Sequence, residues 1–357
     1  MSLEGLAVED FRCIERAELE LDVRCNLISG ENASGKTSLL EALFFLGRGR
    51  SFRTARSEAL IRTGRERLLV TGRLSETSGR HALGMRFSRQ GMEARFGGRA
   101  VQGLADLARR LPVQAIDPEV HRLVEGGPQE RRRFLDWGVF HVEPRFVDHW
   151  RRYQRALRQR NAALRAGESP SAIRAWDPEL VETGEVVAEH RSCYLVSLAP
   201  AVREAGRRLL GADLDIGLLR GWPADVSLGE CLDQSFERDV RRGMTHAGPH
   251  RADLSVRFAG QVARDRVSRG QQKLAASALL LGQLRCDAEL GSRVAVLLVD
   301  DPAAELDSGS LSRLMAEVLD LPSQLVITAL DSGHPVLQGL PAGGRFHVEH
   351  GAVTRLI

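Results

Sequence analysis

The sequence predicts an α/β protein built discontinuously, with its two ends forming one domain and its middle an inserted, mainly helical one. Three observations predict it. A buried run, Cys25-Asn26-Leu27-Ile28, enters a glycine-bearing turn that opens directly into a helix-like stretch. From about residue 118 to 245 helical periodicity takes over, with Pro and Gly confined to the breaks. After residue 246 strand-like runs return, at 253–258, 294–299, 325–328 and 346–349. This order assigns residues 1–117 and 246–357 to one domain and 118–245 to the insert.

Taken in order, Leu3-Leu6-Val8 and Ala17-Leu19-Leu21 alternate as short strands do. The run TSLLEALFFL over 37–46 reads as a helix closed by Gly47. Residues 68–74, 81–88 and 92–96 read as a small antiparallel set, separated by Ser-Gly and Gln-Gly turns. Within the insert, 150–165 is amphipathic. Trp150, Tyr153, Leu157 and Leu164 share one stripe, and Arg151, Arg155, Arg158 and Arg165 an adjacent one. The sequence shows no internal repeat and no low-complexity tract.

Composition excludes several classes. The 357 residues are 43% hydrophobic and 27% charged, as in a soluble globular protein. No run approaches the roughly 18 apolar residues of a membrane span. The opening MSLEGLAVEDF lacks the basic-then-apolar pattern of a signal peptide, so a cytoplasmic protein without a membrane partner is expected. Five scattered cysteines without metal-site spacing are expected as buried free thiols. A net charge of +3 says little about nucleic acid. The quality of that charge says more: of 50 basic residues only Lys36 and Lys273 are lysine. A lysine kept against such a bias marks a place where a compact ammonium is needed.

Lys36 lies in Gly30-Glu31-Asn32-Ala33-Ser34-Gly35-Lys36-Thr37, a full G-x-x-x-x-G-K-[ST] match with a strand before and a helix after. The two glycines let backbone N–H groups converge on a phosphate, and the helix adds its positive end. The site therefore spans Gly30 to Ser38: Lys36 reaches the β- and γ-phosphates of ATP, and the Thr37 hydroxyl ligates Mg²⁺. A chance glycine-rich turn is the bland alternative, and the strand and helix on either side argue against it. The second half of such a site is an acid on a neighbouring strand. Val294-Ala295-Val296-Leu297-Leu298-Val299-Asp300-Asp301 supplies it, with Asp300 for the metal and Asp301 beside the γ-phosphate as general base.

The residues after Asp301, Pro302-Ala303-Ala304-Glu305-Leu306-Asp307, form a run that resembles the D-x-P-x-x-x-L-D run of ABC ATPases, in which Asp307 would belong to the D-loop facing an opposing subunit. Before the acid strand, Val267-Ser268-Arg269-Gly270-Gln271-Gln272-Lys273 is similar to the ABC signature. Ser268 caps a helix, Gly270 permits close approach, and with Gln271 they present exposed N–H groups to an anion. By that resemblance the signature closes on a partner's nucleotide, so that two ATP molecules join a homodimer. Alone, it could equally be an ordinary capped helix.

Spacing separates the members of the class. Lys36 and Ser268 lie 232 residues apart, too far for a transporter subunit and too close for the long coiled coil of SMC proteins or RecN, and no heptad run fills the gap. Three further segments make the chain resemble the RecF family. They are Gly126-Gly127-Pro128-Gln129-Glu130-Arg131-Arg132-Arg133-Phe134-Leu135-Asp136, Ala156-Leu157-Arg158-Gln159-Arg160-Asn161, and Gly248-Pro249-His250-Arg251-Ala252-Asp253-Leu254. Asp10-Phe11-Arg12 is similar to the basic-aromatic element that places an arginine, here Arg12, near nucleotide. The resemblance spans residues 10 to about 307. It implies an ABC-type ATPase head with an inserted helical domain, binding ATP and Mg²⁺ and hydrolysing slowly under DNA stimulation. It also implies a clamp-like dimer at DNA gaps or duplex–single-strand junctions, with RecR and RecO as partners favouring RecA loading, and roles in replication-fork maintenance and SOS induction.

Two departures stand out. The switch histidine of transporter ATPases, due just after Thr328, is replaced by Ala329-Leu330-Asp331, and the catalytic glutamate position holds Asp301. Both point to slow turnover. His334 lies near but in a loop, where histidines are usually solvated. For DNA, Arg131, Arg132, Arg151, Arg155 and Arg158 form the candidate phosphate-tracking surface, against the alternative of a solvated face in an arginine-rich protein. His250 and Arg251 could close a loop or sense nucleotide. The rival function is an ATPase subunit coupled to a membrane transporter; a scaffold with a vestigial site is the third.

Overall fold

The computed structural model describes the whole chain except Ser78, Val267, Ser292, Glu305, Ser332, His334 and Ile357 and the side chains of Asp265 and Arg266. Val267 of the signature, Glu305 of the D-loop run and His334 thus lie outside the described residues. Contacts divide the chain into two compact units, residues 1–120 with 292–357, and residues 121–291.

The first unit carries two six-stranded sheets. One is antiparallel, in the order Ile14–Glu20, Ser2–Phe11, Arg67–Glu76, Gly79–Ser88, Gly91–Phe96, Arg99–Ala100. In its second strand the register shifts between Leu3 and Gly5. That shift puts odd-numbered Leu3 and even-numbered Leu6 and Val8 on the same buried face, which strict alternation would forbid.

The other sheet is mostly parallel, in the order Ala352–Arg355, Gly344–Glu349, Cys25–Ser29, Gln324–Ala329, Val296–Val299, Val113–Ile116. Its three central strands are buried at every residue, as parallel strands covered on both faces must be. The helix Lys36–Arg48 shares one hydrophobic core with both sheets through Leu39, Leu40, Leu43, Phe45 and Leu46. It does not end at Gly47. Its left-handed terminator is Gly49, at φ 63°, and Gly47 lies inside the helix. A Cβ at Gly47 would stand 2.4 Å from Val113 Cγ2 and 2.6 Å from the Leu111 carbonyl, so close packing against the neighbouring strand is what requires glycine there.

The second unit is mainly helical: Pro128–Val142, Phe146–Ala166, the 34-residue Asp177–Leu210, Leu228–Arg242 and Arg269–Glu289. It also holds a three-stranded antiparallel sheet, Gln261–Val262, Asp253–Phe258, Leu214–Leu219. The contacts group residues 246–291 with the middle of the chain rather than with its ends. Two pairings account for this. Strand Asp253–Phe258 finds its partner in Leu214–Leu219, a strand unread in the sequence, and helix Arg269–Glu289 packs along Asp177–Leu210 so tightly that a Cβ at Gly282 would meet Val202 Cα at 2.9 Å. Among the described residues no helix is long and apolar enough to cross a membrane. The thiols divide: Cys25 and Cys286 are buried as expected, Cys231 is partly covered, and Cys13 and Cys193 are exposed, contrary to expectation.

Candidate nucleotide-binding site

In the first unit, Gly30 to Thr37 leave the C-terminal end of strand Cys25–Ser29 and turn into helix Lys36–Arg48, at the edge where open α/β sheets bind ligands. Gly30 sits at φ 154°, where a Cβ would be 2.3 Å from the Val348 carbonyl oxygen. Gly35 caps the helix at φ 118°, and Ala33 also takes a left-handed φ of 62°. Glu31, Asn32 and Ala33 form the exposed rim, and Ser34 to Lys36 are buried beneath it. Within this cradle the Ser34 hydroxyl oxygen is buried without a hydrogen-bond partner among the described residues, an atom that a phosphate oxygen would satisfy.

Lys36 spans the loop. Its Nζ donates to the carbonyls of Gly30 at 2.6 Å and Glu31 at 2.7 Å. An ammonium has three protons, so one remains for an anion. Burial lowers the Lys36 pKa, and Asp301 and Asp300 oppose that shift by favouring its charge.

Asp300 and Asp301 follow strand Val296–Val299. The intervening strand Gln324–Ala329 separates this strand from the P-loop strand, so the acids reach the loop from one strand further across the sheet. They still converge on the loop. Thr37 Oγ1 donates to Asp300 Oδ1 at 3.0 Å, and Thr328 Oγ1, from the intervening strand, donates to the same oxygen at 2.7 Å. Asp301 takes φ 44°, and its N–H donates to Thr328 Oγ1 at 2.9 Å. Burial raises the Asp301 pKa; Lys36 pulls it down and Asp300 pushes it further up. A threonine hydroxyl beside a carboxylate, open towards a phosphate cradle, is an oxygen donor set suited to Mg²⁺, which keeps waters and takes phosphate oxygens rather than an all-protein cage. Accordingly, no cluster of three or more His, Cys, Asp or Glu with metal-holding geometry exists among the described residues.

Two further residues lie close by. Ser38 is buried, with its hydroxyl 3.6 Å from Cys13 Sγ. Arg12, at φ 53°, reaches the P-loop helix, and its Nε and Nη2 grip the carboxylate of Glu41 at 2.9 and 2.8 Å. Glu41 is fully buried and also accepts from the Ser51 hydroxyl, and Arg12 keeps both Nη1 protons and the second Nη2 proton for a nucleotide. The sequence reading missed Glu41, although a carboxylate in the middle of TSLLEALFFL was a visible signal. Asp307 caps helix Ser308–Asp320, accepting from Ser310 N at 2.9 Å.

The second unit carries the signature. Ser268 and Gln271 form a reciprocal capping box on helix Arg269–Glu289, at 3.0 and 3.3 Å. A Cβ at Gly270 would meet nothing within 4 Å, so the local fold does not require a glycine there. The same unit shows what the three family segments do. Arg131, expected on a DNA-facing surface, is instead 8% exposed. It is paired with Asp253 at 2.8 Å and hydrogen-bonded to the carbonyls of Val124 and Gly126. Arg132 donates to the Ala252 carbonyl at 2.7 Å. Fully buried Arg160 joins Asp177, Asp239 and Thr245, and Arg191 grips Asp136 and the Pro249 carbonyl. His250 accepts from the Tyr153 hydroxyl at 2.6 Å and reaches the Thr245 carbonyl at 3.0 Å, and burial lowers its pKa to about 4. Of the arginines expected to face DNA, Arg151, Arg155 and Arg158 are exposed and keep guanidinium groups without a hydrogen bond or ion pair among the described residues.

Residues 2–337 match the family described as RecF/RecN/SMC N terminal domain. A DNA replication and repair protein RecF from Shewanella baltica (strain OS223) is 39% identical over 358 residues, covering 99% of both chains. One from Shewanella oneidensis is 38% identical with the same coverage. Among solved structures, the recombination mediator protein RecF bound to ATP superposes with a TM-score of 0.89 at 25% identity, covering 100% of this chain and 98% of that one. An Smc head bound to the C-winged helix domain of ScpA gives a TM-score of 0.60 at 16% identity, a likeness of fold alone.

Proposed function

The chain belongs to the RecF family of ABC/SMC-type ATPases, and from that premise we propose that it is an ATP-dependent DNA-binding protein of replication and repair. The convergence of Lys36, Thr37, Asp300 and Asp301 on one phosphate cradle carries the reading. In it, the loop N–H groups and Lys36 bind the phosphates of ATP, and Thr37 with Asp300 would hold Mg²⁺, which would supply neutralising charge for the transferred phosphoryl group. Asp301 orients the attacking water, and its raised pKa makes it a better proton acceptor than an ordinary aspartate. An aspartate one methylene shorter than glutamate, and Ala329 where transporters place histidine, keep turnover slow.

The exposed capping box of Ser268, with the open approach at Gly270, supports closure of the signature on a second copy's nucleotide, giving an ATP-dependent homodimer. Arg151, Arg155 and Arg158 supply sequence-independent phosphate contacts on duplex DNA. Action at duplex–single-strand junctions in the cytoplasm, with RecR and RecO and towards RecA, is inferred from the family, as are fork maintenance and the SOS response. Curated relatives aligned over 99% of both lengths are replication and repair proteins, which disfavours the transporter reading. The test is retention of a junction duplex with ATP, with ADP and with the Lys36→Ala variant. Retention with ATP alone, abolished by the substitution, supports the reading; equal retention in all three conditions removes the switch.

A further inference from the structure

We infer that Thr328 is a positioning residue in a hydrogen-bond chain that ties the Asp301 backbone to the Asp300 carboxylate oxygen on which Thr37 also converges; the inference rests on the ATPase reading above. Thr328 lies on strand Gln324–Ala329, between the P-loop strand and the acid strand, and is fully buried.

The chain has only one possible polarity. The backbone N–H of Asp301 can only donate, and it donates to Thr328 Oγ1 at 2.9 Å. The Thr328 hydroxyl must therefore spend its single proton elsewhere, and it donates to Asp300 Oδ1 at 2.7 Å. The same oxygen takes the proton of Thr37 Oγ1 at 3.0 Å. With that proton committed, the Thr37 lone pairs are left to face a cation. Both threonine hydroxyls thus point at one carboxylate oxygen, Thr328 because the Asp301 amide takes its lone pair and Thr37 because a carboxylate oxygen only accepts.

That amide belongs to a residue with its own constraint. Asp301 holds φ 44°, a left-handed conformation that a non-glycine residue keeps only when its surroundings impose it. Its N–H is pinned by Thr328 and its carbonyl by Ala304 N at 3.1 Å. One hydroxyl therefore positions both the residue beside the metal and the residue beside the attacking water. Strand Gln324–Ala329 serves the site through position 328, in a chain that lacks the histidine expected at the next position.

The test uses the full chain as wild type, Thr328→Val, Thr328→Ser and Thr328→Cys. It measures ATP affinity in EDTA, the Mg²⁺ concentration that half-saturates the ATP complex in a thermal-shift titration, and turnover. Valine is nearly the same size and removes both hydrogen bonds, and since these run to Asp300 and Asp301 rather than to the phosphate loop, ATP affinity without Mg²⁺ stays within about twofold of wild type. The Mg²⁺ requirement rises and turnover falls by about ten- to a hundredfold, the usual effect of losing a group that orients a metal ligand. Serine restores both. Cysteine, a weak donor of similar size that keeps the scaffold if valine unfolds it, lies between. Wild-type Mg²⁺ dependence and turnover in Thr328→Val or Thr328→Cys would overturn the inference, as would a serine variant as defective as valine, since packing of the methyl would then be the cause. Wild type failing to bind ATP with Mg²⁺ would instead remove the ATPase reading itself.

Discussion

Replacing Arg160 with methionine should unfold the second unit's core far more readily than the volume lost in that exchange suggests. Arg160 is fully buried; its Nε donates to Asp177 at 2.7 Å, and its Nη1 donates to Asp239 and Thr245 at 2.8 Å each. Methionine fills the stem but leaves the Asp239 carboxylate, itself fully buried, with only His246 as a hydrogen-bonding partner among the described residues. An uncompensated buried charge costs about 3–5 kcal/mol. The broken charged hydrogen bonds are part of that same cost and are not added to it. Arg160→Met with Asp239→Asn removes the stranded charge, so the pair should recover about 2 kcal/mol relative to the single change. The chain supplies its own reporter: all four tryptophans, Trp137, Trp150, Trp176 and Trp222, lie in the second unit, so tryptophan fluorescence in urea follows that unit alone. A loss below about 1 kcal/mol, or no recovery in the double variant, would refute the view that the Gln159-Arg160-Asn161 segment is architecture.

Three other outcomes are expected of the same structure. Burial lifts the Asp287 carboxyl from an ordinary 3.8 to about 7 against the Tyr194 hydroxyl. Between those values the native state holds a proton that the unfolded chain has released. Stability therefore falls as pH rises from about 4 to 7, by at most about 4 kcal/mol at roughly 1.4 kcal/mol per unit. Asp287→Asn should flatten this slope and leave the variant more stable than wild type at pH 8; parallel pH curves would contradict it. Gly30→Ala places a Cβ 2.3 Å from the Val348 carbonyl and should weaken ATP binding by about a hundredfold or more, read by equilibrium dialysis, with fluorescence of the second unit unchanged. Alanine at Arg151, Arg155 and Arg158 together should reduce the salt slope of DNA binding by about 0.9 for each phosphate that these guanidinium groups neutralise. Arg131→Ala should instead lower stability with no change in that slope.

What could be read from the sequence was whatever a short stretch encodes by itself. Gly30 to Thr37 and the apolar run into Asp300 specify their own loop, helix start and strand end, and each lies where local pattern places it. What depended on remote partners was not legible. Leu214–Leu219 is a strand only because Asp253–Phe258 pairs with it, and that pairing regroups residues 246–291 with the helices. Gly47 resembles a helix end until Val113 is seen against it. The arginine run at 131–133 could not be sorted by charge. Helical spacing could have sorted it, because Arg131 shares a face with Phe134 and Leu135, and Arg160 shares the stripe of Tyr153, Leu157 and Leu164. Thr328 carried no signal, since its role exists only where three strands bring their ends together.

The central claim is an ATP-operated switch that assembles two copies of the chain, and solution mass tests it most directly. Mass should be measured by light scattering with and without ATP and Mg²⁺, for wild type and Lys36→Arg, in the presence of a short duplex. The account predicts a doubling of protein mass with ATP, no doubling in the variant, and tightest duplex binding in the doubled form. A monomer under every condition would contradict it, leaving a nucleotide-binding protein whose signature helix has no partner to close upon.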